Sequence, residues 1–134
     1  MTGSGPLSVC GAVLFAMSAA ALALPDRPDE RAELFATCSG RLDALATRQR
    51  ARLEPDAGDS DRLRAEFEML LDAVMPMAQE AGVVEVQARS WRHRGWREVA
   101  YLMATADYNP DRTKAAWAWH DMTLQISDCR KVLL

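Results

Sequence analysis

The residues best suited to chemistry cluster in Arg89-Ser90-Trp91-Arg92-His93-Arg94-Gly95-Trp96-Arg97, four arginines, one histidine and two tryptophans within nine positions. Arginine grips carboxylate or phosphate with two parallel hydrogen bonds, and Arg and Trp are the side chains most enriched in binding hot spots. The stretch therefore predicts a binding surface formed by Arg89, Trp91, Arg92, His93, Arg94 and Arg97. Its chemistry suits an acidic protein, a cell-wall carboxylate or an anionic lipid surface. A plainer arrangement of the same residues puts Trp96 in the core and Trp91 over a groove. The arginines then form a solvated face balanced by acids such as Glu85 and Glu98.

Catalysis finds little material elsewhere. His93 and His120 are the two histidines, and neither belongs to an H-x-x-x-H or H-E-x-x-H arrangement. No G-x-S-x-G or C-x-x-C supplies a nucleophile or redox pair. His120 and Asp121 are adjacent, which on a helix points them ~100° apart and prevents pairing. No catalytic residue is assigned, and the chain reads as non-catalytic. Two cofactor arrangements are conceivable. Met75 and Met77 form an M-x-M pair whose thioethers suit Cu(I), and Met103 or Met122 with His120 supplies the axial ligand types for a b-type haem inside a bundle. Methionine at helical spacing ordinarily fills core, so no cofactor or metal site is assigned.

These residues need elements to hold them, and the hydrophobic spacing supplies four helices. Pro28 followed by Asp29 and Glu30 starts the first, with Leu34, Cys38, Leu42 and Leu45 on its apolar face and Arg48, Arg50 and Arg52 near an end at about 53. After the turn from Glu54 to Ser60, with Asp59 or Ser60 as cap, a second helix spans about 60–81. Leu63, Phe67, Leu70, Val74, Met77 and Ala81 alternate gaps of four and three along it. Pro76 should kink or break this helix near Met75, and Gly82 should end it. A third pattern covers about 84–107, with Trp96, Val99, Met103 and Ala106 on one face and Gly95 weakening it by ~1 kcal/mol. Glu85/Arg89 and Arg94/Glu98 have the spacing of ion pairs. Asn109-Pro110-Asp111 launches a fourth at about 110–132, whose face carries Trp119, Met122, Ile126, Cys129 and Leu133. Short connections make an antiparallel, up-down-up-down four-helix bundle.

The chain has 134 residues, a net charge of -3 and no basic excess, which argues against nucleic-acid binding. All charged side chains follow Pro25. From Leu7 to Leu24 the sequence is uncharged and apolar, ending in Ala21-Leu22-Ala23, so residues 1–23 read as a signal peptide cut before Leu24 and residues 24–134 as one helical domain. Export implies a periplasmic or secreted location with no membrane span after cleavage. An uncleaved leader would instead tether the bundle to the inner membrane. In an oxidising compartment Cys38 and Cys129 are the two cysteines left to pair. Their loop of about 90 residues would contribute roughly 4 to 5 kcal/mol.

The segment Ala36-Thr37-Cys38-Ser39-Gly40-Arg41-Leu42-Asp43-Ala44-Leu45, with one further cysteine near the end and a leader in front, resembles small uncharacterised exported helical proteins of alphaproteobacteria. The resemblance implies no activity and no site residues. The expected role is macromolecular binding by an exported accessory protein, inhibitor, immunity-type protein or chaperone-like bundle. The alternative is a small carrier of haem or Cu(I).

Overall fold

The computed structural model describes Met1 and residues 23–134. The leader and its cleavage therefore lie outside the described residues, apart from Ala23. The described chain is all-α, with helices α1 (Pro28–Ala51), α2 (Ala57–Glu80), α3 (Glu85–Tyr108) and α4 (Arg112–Val132). None of them is long and apolar enough to cross a membrane.

The ends of the helices follow from local chemistry. Pro28 occupies the first turn of α1 and needs no hydrogen-bond partner, while Asp29 and Glu30 face the positive end of the helix dipole. α1 stops at Ala51 because Leu53 turns the backbone to φ 55°, which lets Glu54 N–H donate to the Gln49 carbonyl at 2.9 Å. α2 begins at Ala57, earlier than the capping residues suggested, and Ser60 is fully buried inside it. It also runs unbroken through Pro76, against the expected break. Pro76 and Asp72 both face solvent, so water can satisfy the carbonyl that the proline leaves unpaired. Gly82 ends the segment at φ 96°, and Val83 N–H reaches back to the Ala78 carbonyl at 2.9 Å, as a glycine C-cap requires. Within the Asn109-Pro110-Asp111 start of α4, expected to be capped by Asn109 with Pro110 as its first residue, the cap is Asp111. Its carboxylate accepts from Thr113 N–H at 2.9 Å and Lys114 N–H at 3.3 Å, while Asn109 accepts from Asp111 N–H.

Cross-helix pairs give the directions. Ser39 with Glu68 and Arg50 with Asp61 run in opposite senses, so α1 and α2 are antiparallel. Glu33 with Arg94, Arg41 with Glu98 and Arg48 with Asp107 rise together, so α1 and α3 are parallel. In a square up-down-up-down bundle these two would be diagonal partners. Here α1 packs directly on both α2 and α3, α3 packs on α4, and α1 touches α4 only sparsely.

Glycines bring α1 and α3 together. A Cβ at Gly40 would stand 1.9 Å from the Arg92 carbonyl oxygen, and one at Gly95 would stand 2.2 Å from that of Thr37. The two backbones therefore meet where neither carries a side chain. Ala32, Ala36 and Ala44, all buried, continue the narrow ridge of α1 at four-residue spacing. Gly95, expected only to weaken its helix, is required by this crossing.

The core around the crossing contains Phe35, Leu42, Phe67, Val74, Val99, Met103, Met122 and Ile126. On α2 the buried series is Phe67, Leu71, Val74 and Ala78, which leaves Leu70, Met77 and Ala81 exposed. The observed series keeps the expected gaps of four and three but takes them in the other phase, with Leu71 and Ala78 in place of Leu70 and Met77, so the face α2 turns to the core is rotated slightly from the expected one. Cys38 of α1 and Cys129 of α4 are bonded, with Cα atoms 5.5 Å apart and both side chains about 1% exposed. Beside this bond the seam between α1 and α4 stays open as a hollow of about 430 Å³ past Leu45, Trp119, Met122 and Ile126.

Candidate binding surface

The structure divides the Arg/Trp stretch of α3 into two sets. Arg92 points inward to α2, where its Nε and Nη2 donate to the two oxygens of Glu68 at 2.8 and 2.7 Å. Ser39 of α1 donates to the same carboxylate, so three helices share one buried-side knot. Burial pushes the Glu68 carboxyl up, but the hydrogen bonds from Arg92 and Ser39 outweigh it and hold the group below its usual range. Arg94 binds Glu33 at 2.6 Å and sits 3.9 Å from Glu98. Glu98 in turn pairs with Arg41 at 2.9 Å. Trp91 packs half-buried against the core, while Trp96 is 37% exposed, the reverse of the plainer expectation. Arg89, His93 and Arg97 remain exposed, and the expected Glu85/Arg89 pair is absent from the ion pairs among the described residues.

The richest concave site lies elsewhere, where the C-terminal ends of α1 and α3 meet the start of α4. Arg48 donates from Nη2 and Nε to the two oxygens of Asp107 at 2.9 and 3.1 Å, and Arg52 adds a third bond at 2.7 Å. The hydrogen bond from Arg48 holds the Asp107 carboxyl below the ordinary carboxylate range, with the charges of Arg48 and Arg52 adding to it. The Arg48 guanidinium also lies 5.7 Å from the ring centroid of Trp119, within reach of a cation–π attraction.

Grooves open on either side of Asp107. One, of about 310 Å³, has a floor of small side chains from α1 and α3 (Ala44, Ala51, Ala100, Ala104) between Trp96 and Tyr108. The other, of about 320 Å³, lies between Ala106 of α3 and Ala115, Ala116 and Trp119 of α4. Trp119 is 50% exposed because Ala118, fully buried, takes the core position beside it. Aromatic walls, a small-residue floor and a fixed Arg/Asp pair are the components of a protein-binding groove.

The possible metal and haem ligands are scattered. On unbroken α2, Met75 is partly buried against the core and Met77 is exposed, since residues two apart on a helix face different ways. Met103 and Met122 are core residues, whereas His120 faces solvent. Among the described residues no group of three His, Cys, Asp or Glu side chains is placed to hold a metal ion.

The Asp107 site escaped the sequence reading, although one signal for it exists. An acid in the last turn of α3 opposes the helix dipole, and such a residue needs a cation nearby. Three arginines at the end of α1 were available to supply it. No family model matches the chain, and no curated protein or solved structure matches it either.

Proposed function

We propose that this chain is an exported, non-catalytic helical protein that acts by binding a macromolecular partner. The observation that carries the reading is the pair of grooves around Asp107, walled by the exposed side chains of Trp96, Tyr108 and Trp119 and held in shape by Arg48 and Arg52. The Arg/Asp pair fixes two long side chains before any partner arrives, which lowers the ordering cost of association. Aromatic rings of high contact area and few rotatable bonds then supply the anchors. The buried disulfide accords with an oxidising compartment, where the leader read in residues 1–23 would deliver the chain.

The test is crosslinking from a photoreactive residue placed at Ala104, on the groove floor, in an envelope extract of the native host. The expected result is a discrete crosslinked partner that is lost in a Trp96→Ala/Tyr108→Ala variant with an unchanged circular dichroism spectrum. Recovery of the same partner by that variant would exclude the groove. Sequencing of the processed chain should begin at Leu24.

A further inference from the structure

We propose that a second surface, the outward face of α3 continued by Trp117 and Leu124 of α4, docks on an anionic lipid surface. It shares only Tyr108, at its edge, with the walls of the grooves around Asp107, and the inference stands whether or not those grooves take a partner.

The face is defined by helical spacing. Val86, His93, Arg97, Tyr101 and Tyr108 recur at the intervals that stack side chains on one side of α3, and all are exposed. Glu85, exposed in the first turn, is the one acid of α3 near this side, since Glu98 and Asp107 turn towards α1 to meet Arg41 and Arg48. Arg89 and Arg97, four residues to either side of His93, have no ion-pair partner among the described residues, unlike Arg92 and Arg94 between them. On α4, which packs against α3, Trp117 and Leu124 stand seven residues apart and are 59% and 46% exposed. The nearest acids of α4 are engaged, Asp121 by Gln125 and Asp128 by Lys131, each at 3.1 Å.

Charge is distributed to match. α3 and α4 together carry eight Lys and Arg against five Asp and Glu, whereas α2 carries two against six. A chain of net charge -3 thus concentrates cations on the helices that also display Tyr101, Tyr108 and Trp117. Tyr and Trp favour the boundary between headgroup and acyl chain, and arginine stems lie along apolar surface with their charges at the phosphates. Shape decides between lipid and folded protein. Arg89, His93, Arg97, Tyr101 and Trp117 line none of the hollows described above, so they offer none of those pockets to a protein anchor. A lipid surface moulds itself to such a face. With no described helix able to span, the bundle lies on the membrane.

The experiment is partition of the oxidised protein onto vesicles, read by co-sedimentation and tryptophan fluorescence. Vesicles of phosphatidylglycerol mixed with phosphatidylcholine should bind it with a blue shift, and pure phosphatidylcholine should not. Binding should fall as salt is raised. An Arg89→Gln/Arg97→Gln variant should partition about 25-fold more weakly, at roughly fivefold per cation near an anionic surface. Trp117→Ala should lose much of the blue shift, and Asp72→Asn/Glu80→Gln on α2 should bind no less than wild type. Circular dichroism establishes that each variant is folded. Equal binding to pure phosphatidylcholine, no binding to the mixed vesicles, or an unchanged partition of the arginine variant each overturns the proposal. Tight binding to soluble poly-L-glutamate with none to vesicles also overturns it, in favour of an acidic protein segment.

Discussion

α1 makes two unlike attachments. To α3 it is joined by proximity of backbone to backbone, with Gly40 and Gly95 letting the helices touch, and by arginine pairs along the contact. To α4 it is joined at few points, across a seam that keeps a hollow of about 430 Å³, and a covalent bond holds the two. Close packing makes every atom of the α1/α3 contact matter, because an interior at crystal-like density cannot absorb an added methyl group. A disulfide asks little of surrounding shape and stabilises mainly by restricting the unfolded chain.

The largest expected effect breaks the covalent side of this contrast. Replacing both Cys38 and Cys129 by serine should cost about 4 to 5 kcal/mol in urea unfolding, from a loop that now spans 91 residues. Hydrogen exchange should show protection lost first in α4. Uniform loss across all four helices would mean that α4 is held by packing after all.

Next comes Gly40→Ala. In an exposed helix interior this change ordinarily stabilises by up to ~1 kcal/mol. At the crossing it should destabilise by about 3 kcal/mol, because the new methyl meets backbone and has no flexible side chain to displace. Gly58→Ala, at a site with nothing within 4 Å, supplies the opposite sign in the same protein. Thermal melts of the two variants are the comparison.

The knot beyond the crossing should cost less. Glu68→Gln removes the charge that Arg92 and Ser39 satisfy and should lower stability by about 2 kcal/mol. The sign with pH follows from carboxyls held low in the fold. Asp61, Glu68 and Asp107 are all depressed, so their stabilisation is complete above the ordinary carboxylate value of about 4 and is lost as pH falls through the folded values. Denaturant midpoints should therefore drop below about pH 4, and Asp107→Asn should flatten that slope. The smallest effect is a gain. Leu53→Gly relieves a left-handed residue that is 91% exposed and should stabilise by under ~1 kcal/mol, since glycine's extra freedom when unfolded offsets part of the relief.

Much of this scaffold was legible in the sequence. Proline and acids at one end of α1, Gly82 after α2 and two remaining cysteines act through local chemistry or through elimination, and each stands where expected. What escaped depends on which helix lies against which. Gly95 reads as a local defect, and Gly40 as nothing in particular, until α1 is seen against α3, 55 residues further along. The sequence also proposed Arg92 and Arg94 for an outward surface, yet they face Glu68 and Glu33, acids that no helical spacing connects to them. Trp91 and Trp96 exchanged their expected roles because the crossing fixes the rotation of α3 about its axis. The break expected at Pro76 does not occur, since its effect depends on whether water reaches the carbonyl it orphans.

The position of Cys129 also sets an order of assembly. It stands in the last turn of α4, so its thiol emerges after α1, α2 and α3 are complete. The parallel α1/α3 contact involves no residue of α4, so it does not require the bond between Cys38 and Cys129. Both sulfurs end up almost wholly covered, so oxidation belongs to the interval before α4 seats fully. An oxidant acting before α4 arrives would meet Cys38 without Cys129, and any bond it then formed would be to a different thiol.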